Sequence, residues 1–324
     1  MPKFDIIFYE TFQEEKEAIL RHLKPTFNVR FTPHTIQEDT NSTLEASLIS
    51  LRTQSEIPEA WAPSLSGILS RSTGYDHLQA YLKKTKQPLL CGYLPLYCAR
   101  AVAEQTLLLW LSLMRKLPQQ IHQFKSFKRD RITGQEAEHK NLLVIGVGNI
   151  GKEVLKIGQS LGMNTSGVDI EERYSEIKYT SLKESLPQAD VIVCAMNLTE
   201  KNQGGLNYSV LSRAKPSALF INISRGELSP LKDLQKLLQE NKLGGIALDV
   251  YEEEKSLAIE LRKKEASLHP DVLALQELAK DERVILTPHN AFNTVEAVDR
   301  KALQSVQQFE HFINHKKFLW KVPH

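Results

Sequence analysis

An α/β fold with two doubly wound parallel-sheet domains is what this 324-residue sequence predicts. Three observations carry it. Between Asn141 and Asp169 a short apolar strand runs through a glycine-rich turn into a helix and then a second strand. Further strand–helix alternation follows as far as Leu286, and a separate alternation fills residues 1 to about 90.

The first alternation reads as strand Phe4 to Tyr9, helix Glu14 to Leu23, strand Phe27 to Phe31, a strand-like segment around Leu44 to Leu51, and strand Gly67 to Ser70. The last runs through the turn Arg71 to Asp76 into a helix over Leu78 to Leu82. A glycine-containing turn after a strand exposes N–H groups suited to a carboxylate, and a plain strand-to-helix turn reads the same way locally. Ala101 to Leu117 is the most apolar helix, but it holds Glu104, Gln105 and Arg115 and falls short of the roughly 20 uncharged residues that a bilayer needs. It reads as a buried interdomain helix. A polar connector, Gln119 to Lys140, separates it from the second alternation.

The strands expected there are Leu142 to Ile145, Ser166 to Asp169, Asp190 to Ala195, Ala218 to Ile223, Gly245 to Asp249 and Val284 to Leu286. Lys255 to Lys280 carries Leu257, Leu261, Leu268 and Leu275 at loose helical spacing and reads as a surface helical excursion, with a lid as the alternative. The last helix, Thr294 to Asn314, lies beyond the final strand and is expected to return to the first domain, making that domain discontinuous.

The turn Gly146, Val147, Gly148, Asn149, Ile150, Gly151 is the most informative stretch. Its first glycine allows a tight turn, the second lets backbone approach a pyrophosphate, and the third lets helix and strand pack closely. The following helix N-terminus offers N–H groups to phosphate. Asp169, at the end of the next strand, is placed to accept hydrogen bonds from ribose hydroxyls, and its charge would repel a 2′-phosphate. Ile170 and Glu171 follow it, with no Arg or Ser, so NAD is expected over NADP in a Rossmann-type domain.

Composition narrows the classes. The formal net charge of +2 argues against nucleic acid or an anionic membrane as partner. The one basic run, Lys125 to Arg131, carries Phe127 and Asp130 and reads as a solvated connector. Cys91, Cys98 and Cys194 lack metal-ligand spacing, so no metal is expected and reduced thiols in a cytoplasmic protein are. Met1, Pro2 and Lys3 lead directly into a strand with no apolar signal segment.

In an open parallel sheet, ligands bind beyond the carboxyl ends of the strands. There the chain places Ser224, Arg225 and Gly226, then Asp249 followed by Glu252, Glu253 and Glu254, then Thr287, Pro288, His289 and Asn290. Hydride transfer to a 2-keto acid needs a cation for the carboxylate and a proton donor for the ketone oxygen. The planar fork of Arg225 suits the first role and His289 the second, with Glu254 as the carboxylate that favours a protonated imidazole.

On these residues the sequence resembles the D-isomer-specific 2-hydroxyacid dehydrogenases over nearly its whole length. The matching stretches are Arg71 to Asp76, Tyr97 to Glu104, Gly146 to Gly151, Asn222 to Gly226, Ala247 to Glu254 and Thr287 to Thr294. The resemblance implies Arg225, Glu254 and His289 as catalytic residues and Thr73 and Gly74 as backbone contacts to the substrate carboxylate. Asn149, Ile150, Asp169, Met196, Asn197, Asn202, Ile223, Ser224, Arg225 and Asp249 are the implied cofactor contacts. The D-lactate dehydrogenase branch is nearest, because Ala291, Phe292 and Thr294 follow His289 and a long segment separates it from Glu254. Tyr97 and Phe292 then resemble pocket aromatics. Asn197 and Lys255 stand where many relatives have proline.

The domains expected are residues 101–291 for NAD, and residues 1–100 with 292–324 as a smaller, flavodoxin-like substrate domain. The expected reaction is pyruvate to D-lactate, with bulkier keto acids such as phenylpyruvate or hydroxypyruvate as the alternative. An NAD-sensing scaffold like the family's corepressors is the rival from another class, and analogy implies a homodimer.

Overall fold

The computed structural model describes residues 3–39, 43–262 and 269–323. They form two compact units, Met1–Cys98 with Asn293–His324, and Ala99–Phe292.

In the first unit the chain runs β1 (Ile6–Phe8), α1 (Gln13–His22), β2 (Val29–Phe31), β3 (Leu48–Leu51), β4 (Gly67–Ser70), α2 (Asp76–Thr85) and β5 (Cys91–Gly92). All pairs are parallel in the order β2-β1-β3-β4-β5, the doubly wound order in which the chain reverses direction beside β1. Every residue of β1, β3 and β4 is buried, which is why these strands read as unbroken apolar runs rather than alternating ones. Two elements escape sequence reading. One is the two-residue β5, and the other a 3₁₀ segment over Glu59–Ser64 that contains Pro63.

The second unit follows with α3 (Ala99–Met114), α4 (Leu117–Gln123), β6 (Asn141–Ile145), α5 (Asn149–Ser160), β7 (Asn164–Val168), α6 (Leu182–Ser185) and β8 (Val191–Cys194). It continues with α7 (Tyr208–Leu211), β9 (Leu219–Asn222), α8 (Leu231–Gln239), β10 (Gly245–Leu248), α9 (Glu254–Arg262), α10 (Pro270–Leu278) and β11 (Val284–Leu286). The parallel order is β11-β10-β9-β8-β6-β7, so the switch point lies between β6 and β8. A parallel bridge from Gly167 to Tyr179 adds a rudimentary strand beyond β7.

All six expected strands of this sheet are present: β11 has the expected bounds, β8 and β9 lose one residue at each end, β10 loses Asp249, β7 starts two residues earlier and ends at Val168, and β6 gains Asn141. The connector expected to be irregular from Gln119 instead begins inside α4. The excursion after Glu254 is two helices, α9 and α10, closed over a small apolar cluster of Leu257, Val272 and Leu275. Leu261 faces outward, and Leu268 lies outside the described residues.

The final helix, α11 (Val295–His315), belongs to the first unit and packs on α1. The Thr294 side chain caps it by accepting from Ala297 N. Beyond it, Lys321 bridges antiparallel to Gly92, and a Cβ on Gly92 would strike the Phe318 ring, so only glycine lets this return close. Among the described residues no helix is long and apolar enough to cross a membrane.

Candidate active site

The glycine turn after β6 behaves as its spacing demands. Gly146 sits at φ 94°, where a side chain would meet the Met196 backbone, and a Cβ on Gly151 would run into the carbonyl oxygen of Gly146. Around Gly148 there is open space instead. No side-chain hydrogen bond caps the start of the twelve-residue α5 at Gly148. Asp169 lies one residue past β7, and its carboxylate accepts from Val147 N at 2.6 Å and from Glu171 N at 3.2 Å. The acid and the turn are thus locked together. An open glycine cradle at a helix N-terminus with a carboxylate beside it fits the pyrophosphate and ribose of a dinucleotide.

On the other side of the switch point the loop after β8 carries Met196, Asn197 and Asn202. Asn202 closes it, donating to Asn197 O and accepting from Thr199 N. The Ser224 hydroxyl donates to Met196 O and ties this loop to the one after β9. Ile223, directly after β9, is buried.

Arg225 sits in that second loop, which Asn222 at the end of β9 knits together. The Asn222 amide donates to Arg225 O and to Ser229 Oγ, and its oxygen accepts from Ser224 N. A fully buried asparagine ending an apolar strand is the sequence signal for such a staple, and its role was missed. Gly226 is obligatory next to Arg225, because a Cβ there would overlap the backbone of Tyr251 and Glu252. The Arg225 turn and the segment leading to Glu254 therefore touch.

His289 and Glu254 meet. His289 Nδ1 lies 2.7 Å from Glu254 Oε1, and both side chains keep some solvent access, 24% and 19%. Glu254 is the first residue of α9, where the helix dipole favours a carboxylate. His289 has a left-handed backbone, φ 49°, a conformation that persists only where the surroundings over-determine it. Here they do. Tyr251 donates its hydroxyl to Thr287 O at 2.8 Å, and Asp249 accepts from Thr287 Oγ1 at 2.5 Å and from Asn290 N and Ala291 N at 2.9 Å each. Burial pushes the Asp249 carboxyl up, and these hydrogen bonds with nearby His289 oppose the rise. The described partners of Asp249 are therefore the bonds that set the His289 loop. Phe292 ends this unit, 7% exposed.

The remaining expected contacts lie in the first unit. Ser72 Oγ donates to Gly74 O at 2.6 Å, and Thr73 Oγ1 lies 3.3 Å from Leu94 O and 3.2 Å from Cys98 Sγ, leaving the turn at Thr73 and Gly74 half-buried. Tyr97 is buried, and its carbonyl accepts from Arg300 Nε at 3.0 Å.

Arg71, the first residue of that motif, points into the core. It is fully buried and bonded to Glu15, Ser50, Thr11 and the Tyr9 and Glu10 carbonyls. Lys301 joins it on Glu15 Oε1 at 2.8 Å. Burial would raise the Glu15 carboxyl, but Arg71, Lys301 and Arg52 bring it down to about 2. Burial also pushes the Lys301 amine down to about 8, with Glu15 only partly restoring it. No group of three or more metal-ligating side chains occurs among the described residues.

Comparison with known proteins agrees with this geometry. Residues 107–291 match the family model described as "D-isomer specific 2-hydroxyacid dehydrogenase, NAD binding domain". The chain is 33% identical over 225 residues to an aromatic 2-oxoacid reductase of Clostridium sporogenes, covering 67% of each. It is 30% identical over 257 residues to a D-lactate dehydrogenase of Lactiplantibacillus plantarum, covering 77% of this chain and 76% of the relative. A crystal structure of a D-lactate dehydrogenase from Aquifex aeolicus complexed with NAD and lactic acid superposes with a TM-score of 0.84 at 27% identity, over 97% of this chain and 99% of that one.

Proposed function

The chain belongs to the D-isomer-specific 2-hydroxyacid dehydrogenases, NAD-dependent oxidoreductases, and from that premise we propose that it interconverts a 2-keto acid and its D-2-hydroxy acid through Arg225, Glu254 and His289. Bound NADH supplies the hydride that reduces C2. Arg225 holds the substrate carboxylate through its planar fork and polarises the neighbouring carbonyl. For Thr73 and Gly74 the support is the resemblance, which implies backbone donors to the substrate carboxylate at that turn. His289 gives a proton to the ketone oxygen as it becomes an alcohol, and takes one back in the reverse direction.

Glu254 occupies Nδ1 of His289, which leaves Nε2 as the nitrogen that serves the substrate. That 2.7 Å contact is the observation that carries the reading, since a carboxylate on one ring nitrogen orients the imidazole so that the other can exchange a proton with substrate. The glycine turn, Asp169 and the loops holding Met196, Asn197, Asn202, Ile223 and Ser224 hold the dinucleotide. Asp249 contributes by fixing the His289 loop.

Pyruvate serves as reference substrate, with phenylpyruvate and hydroxypyruvate as the bulkier comparison. Consumption of NADH with these acids, and chiral analysis of the product, test the proposal. D-configured product is expected. Intact NADH with every 2-keto acid overturns it in favour of the cofactor-sensing scaffold.

The protein acts as a homodimer in a reducing, cytoplasmic setting. Exposed Leu108, Ile121, Phe124 and Phe127 on and after α3 and α4 support the dimer, and the three free, buried cysteines support the compartment.

A further inference from the structure

Three side chains that the proposed reaction leaves unused are strung together behind the turn at Thr73 and Gly74. Ser70 ends β4 and is fully buried, Ser72 is nearly so, and His77 is half-buried in the first turn of α2. His77 Nε2 lies 3.1 Å from Ser70 Oγ, Ser70 Oγ lies 2.5 Å from Ser72 Oγ, and Ser72 Oγ donates to Gly74 O at 2.6 Å.

A hydroxyl has one proton to give, and that sets the direction of every link. A carbonyl can only accept, so the Ser72 proton is committed to Gly74 O. Ser70 must then donate to Ser72, which commits its own proton in turn. His77 is left as the donor to Ser70, so its Nε2 bears a proton. The chain starts at the His77 ring and ends on the Gly74 carbonyl.

That end bears on the donors of the turn. Ser72 O accepts from Leu94 N at 3.1 Å, and the planar trans peptide points the Thr73 N–H away from that bond. Gly74 has the freest backbone of any residue, and Ser72 restricts it by holding its carbonyl. The peptide between, which carries the Gly74 N–H, is therefore held from both sides. The carbonyls of Ser72 and Gly74 are spent on protein partners, whereas the N–H groups of Thr73 and Gly74 enter no hydrogen bond among the described residues. A turn with donors to offer and its neighbouring acceptors occupied suits an anion, because a loose carbonyl beside a carboxylate would repel it.

We propose that His77 is a positioning residue for substrate: through Ser70 and Ser72 it holds the Gly74 carbonyl, and with it the Thr73 and Gly74 N–H groups that receive the substrate carboxylate. This rests on the reading of the chain as a 2-keto acid reductase whose substrate carboxylate meets that turn. His77 acts on binding and not on the chemical step, so its loss falls on KM for the keto acid and spares kcat.

Steady-state kinetics of the wild type, His77→Leu, His77→Gln and Ser72→Ala test it, with NADH and whichever of pyruvate, phenylpyruvate and hydroxypyruvate the wild type reduces best. His77→Leu and Ser72→Ala should each raise KM for the keto acid by about 3- to 10-fold, the share of a neutral hydrogen bond, with kcat and KM for NADH within about 2-fold of wild type. The glutamine amide can donate where the imidazole did, so His77→Gln should recover most of the loss. Both residues act through one chain, so the double variant of His77→Leu and Ser72→Ala should be no worse than Ser72→Ala alone. His77→Ala carries the comparison if the leucine variant does not fold. A KM for the keto acid that neither single variant moves, a double variant in which the two effects multiply, or a His77→Gln as impaired as His77→Leu overturns the inference and leaves the reductase reading standing. A wild type that turns over none of these acids overturns the reductase reading itself, and the inference with it.

Discussion

The two units each hold a basic side chain against a glutamate, and the two pairings differ in their exposure to solvent. His289 and Glu254 meet at 2.7 Å where both retain solvent access, on a loop whose backbone is held in an unfavourable conformation by Asp249 and Tyr251. Glu15, Arg71 and Lys301 meet at 2.8 Å with no solvent access at all. In the proposed reaction His289 exchanges a proton with substrate and water, and the partial exposure of its pair with Glu254 suits that role. The second is dry, and its charges are fixed because removing any one strands the others in a medium that cannot solvate them.

The sharpest way to break this contrast is at the wet pair. His289→Gln should lower turnover by about 10²- to 10⁴-fold, the usual share of general acid–base catalysis, while NADH affinity and the unfolding midpoint hardly change. Steady-state kinetics with a cofactor titration read this, and retained turnover would return His289 to the loop as a spectator. At the dry cluster the expected result inverts. Arg71→Leu should cost about 3–5 kcal/mol of stability in urea unfolding of the first unit, because Glu15 loses the guanidinium on its Oε1 while staying buried. A loss under about 1 kcal/mol would mean that the cluster relaxes toward water.

A smaller effect follows from acid. The Glu15 carboxyl is lowered from its ordinary 4.5 to about 2, so below 4.5 the unfolded chain binds a proton that the folded one refuses. Stability from this group is present above pH 4.5 and is lost as pH falls from there toward 2, on the order of 3 kcal/mol in all. Lys301 runs the same way at the other end. With its amine lowered from 10.5 to about 8, the unfolded chain again holds the extra proton between those values, so stability rises with pH across that range. Unfolding free energies at stepped pH, for the wild type and Glu15→Gln, separate the acid limb from the other carboxylates.

What the sequence disclosed follows the same division. The wet site was legible because its residues adjoin strong local patterns: Arg225 follows an apolar strand and precedes a glycine, and His289 follows Thr-Pro at the end of another. The glycine turn was legible because at Gly146 and Gly151 a Cβ would strike backbone, and Asp169 because it directly follows a strand. The dry cluster was not. Glu15 sits in a helix that reads as amphipathic, and Lys301 lies near the other end of the chain on a helix with charged neighbours, so no local pattern announces that they share an oxygen. Asp249 was read for its place after a strand, whereas its three described hydrogen bonds to the loop 287–291 depend on a β10–β11 pairing that spacing alone does not reveal. The strand β5 escaped because two residues are too few to show a period.

The return of α11 to the first unit has a consequence for how the molecule is made. The sheet that begins at Ile6 is covered by a helix that begins at Val295, and its last strand meets the chain again only at Lys321. Read out from the ribosome, the nucleotide-holding unit emerges whole while its companion still lacks its cover. The nascent protein must therefore shelter a half-clad sheet until its final segment arrives, and that interval is when chaperones have most to protect.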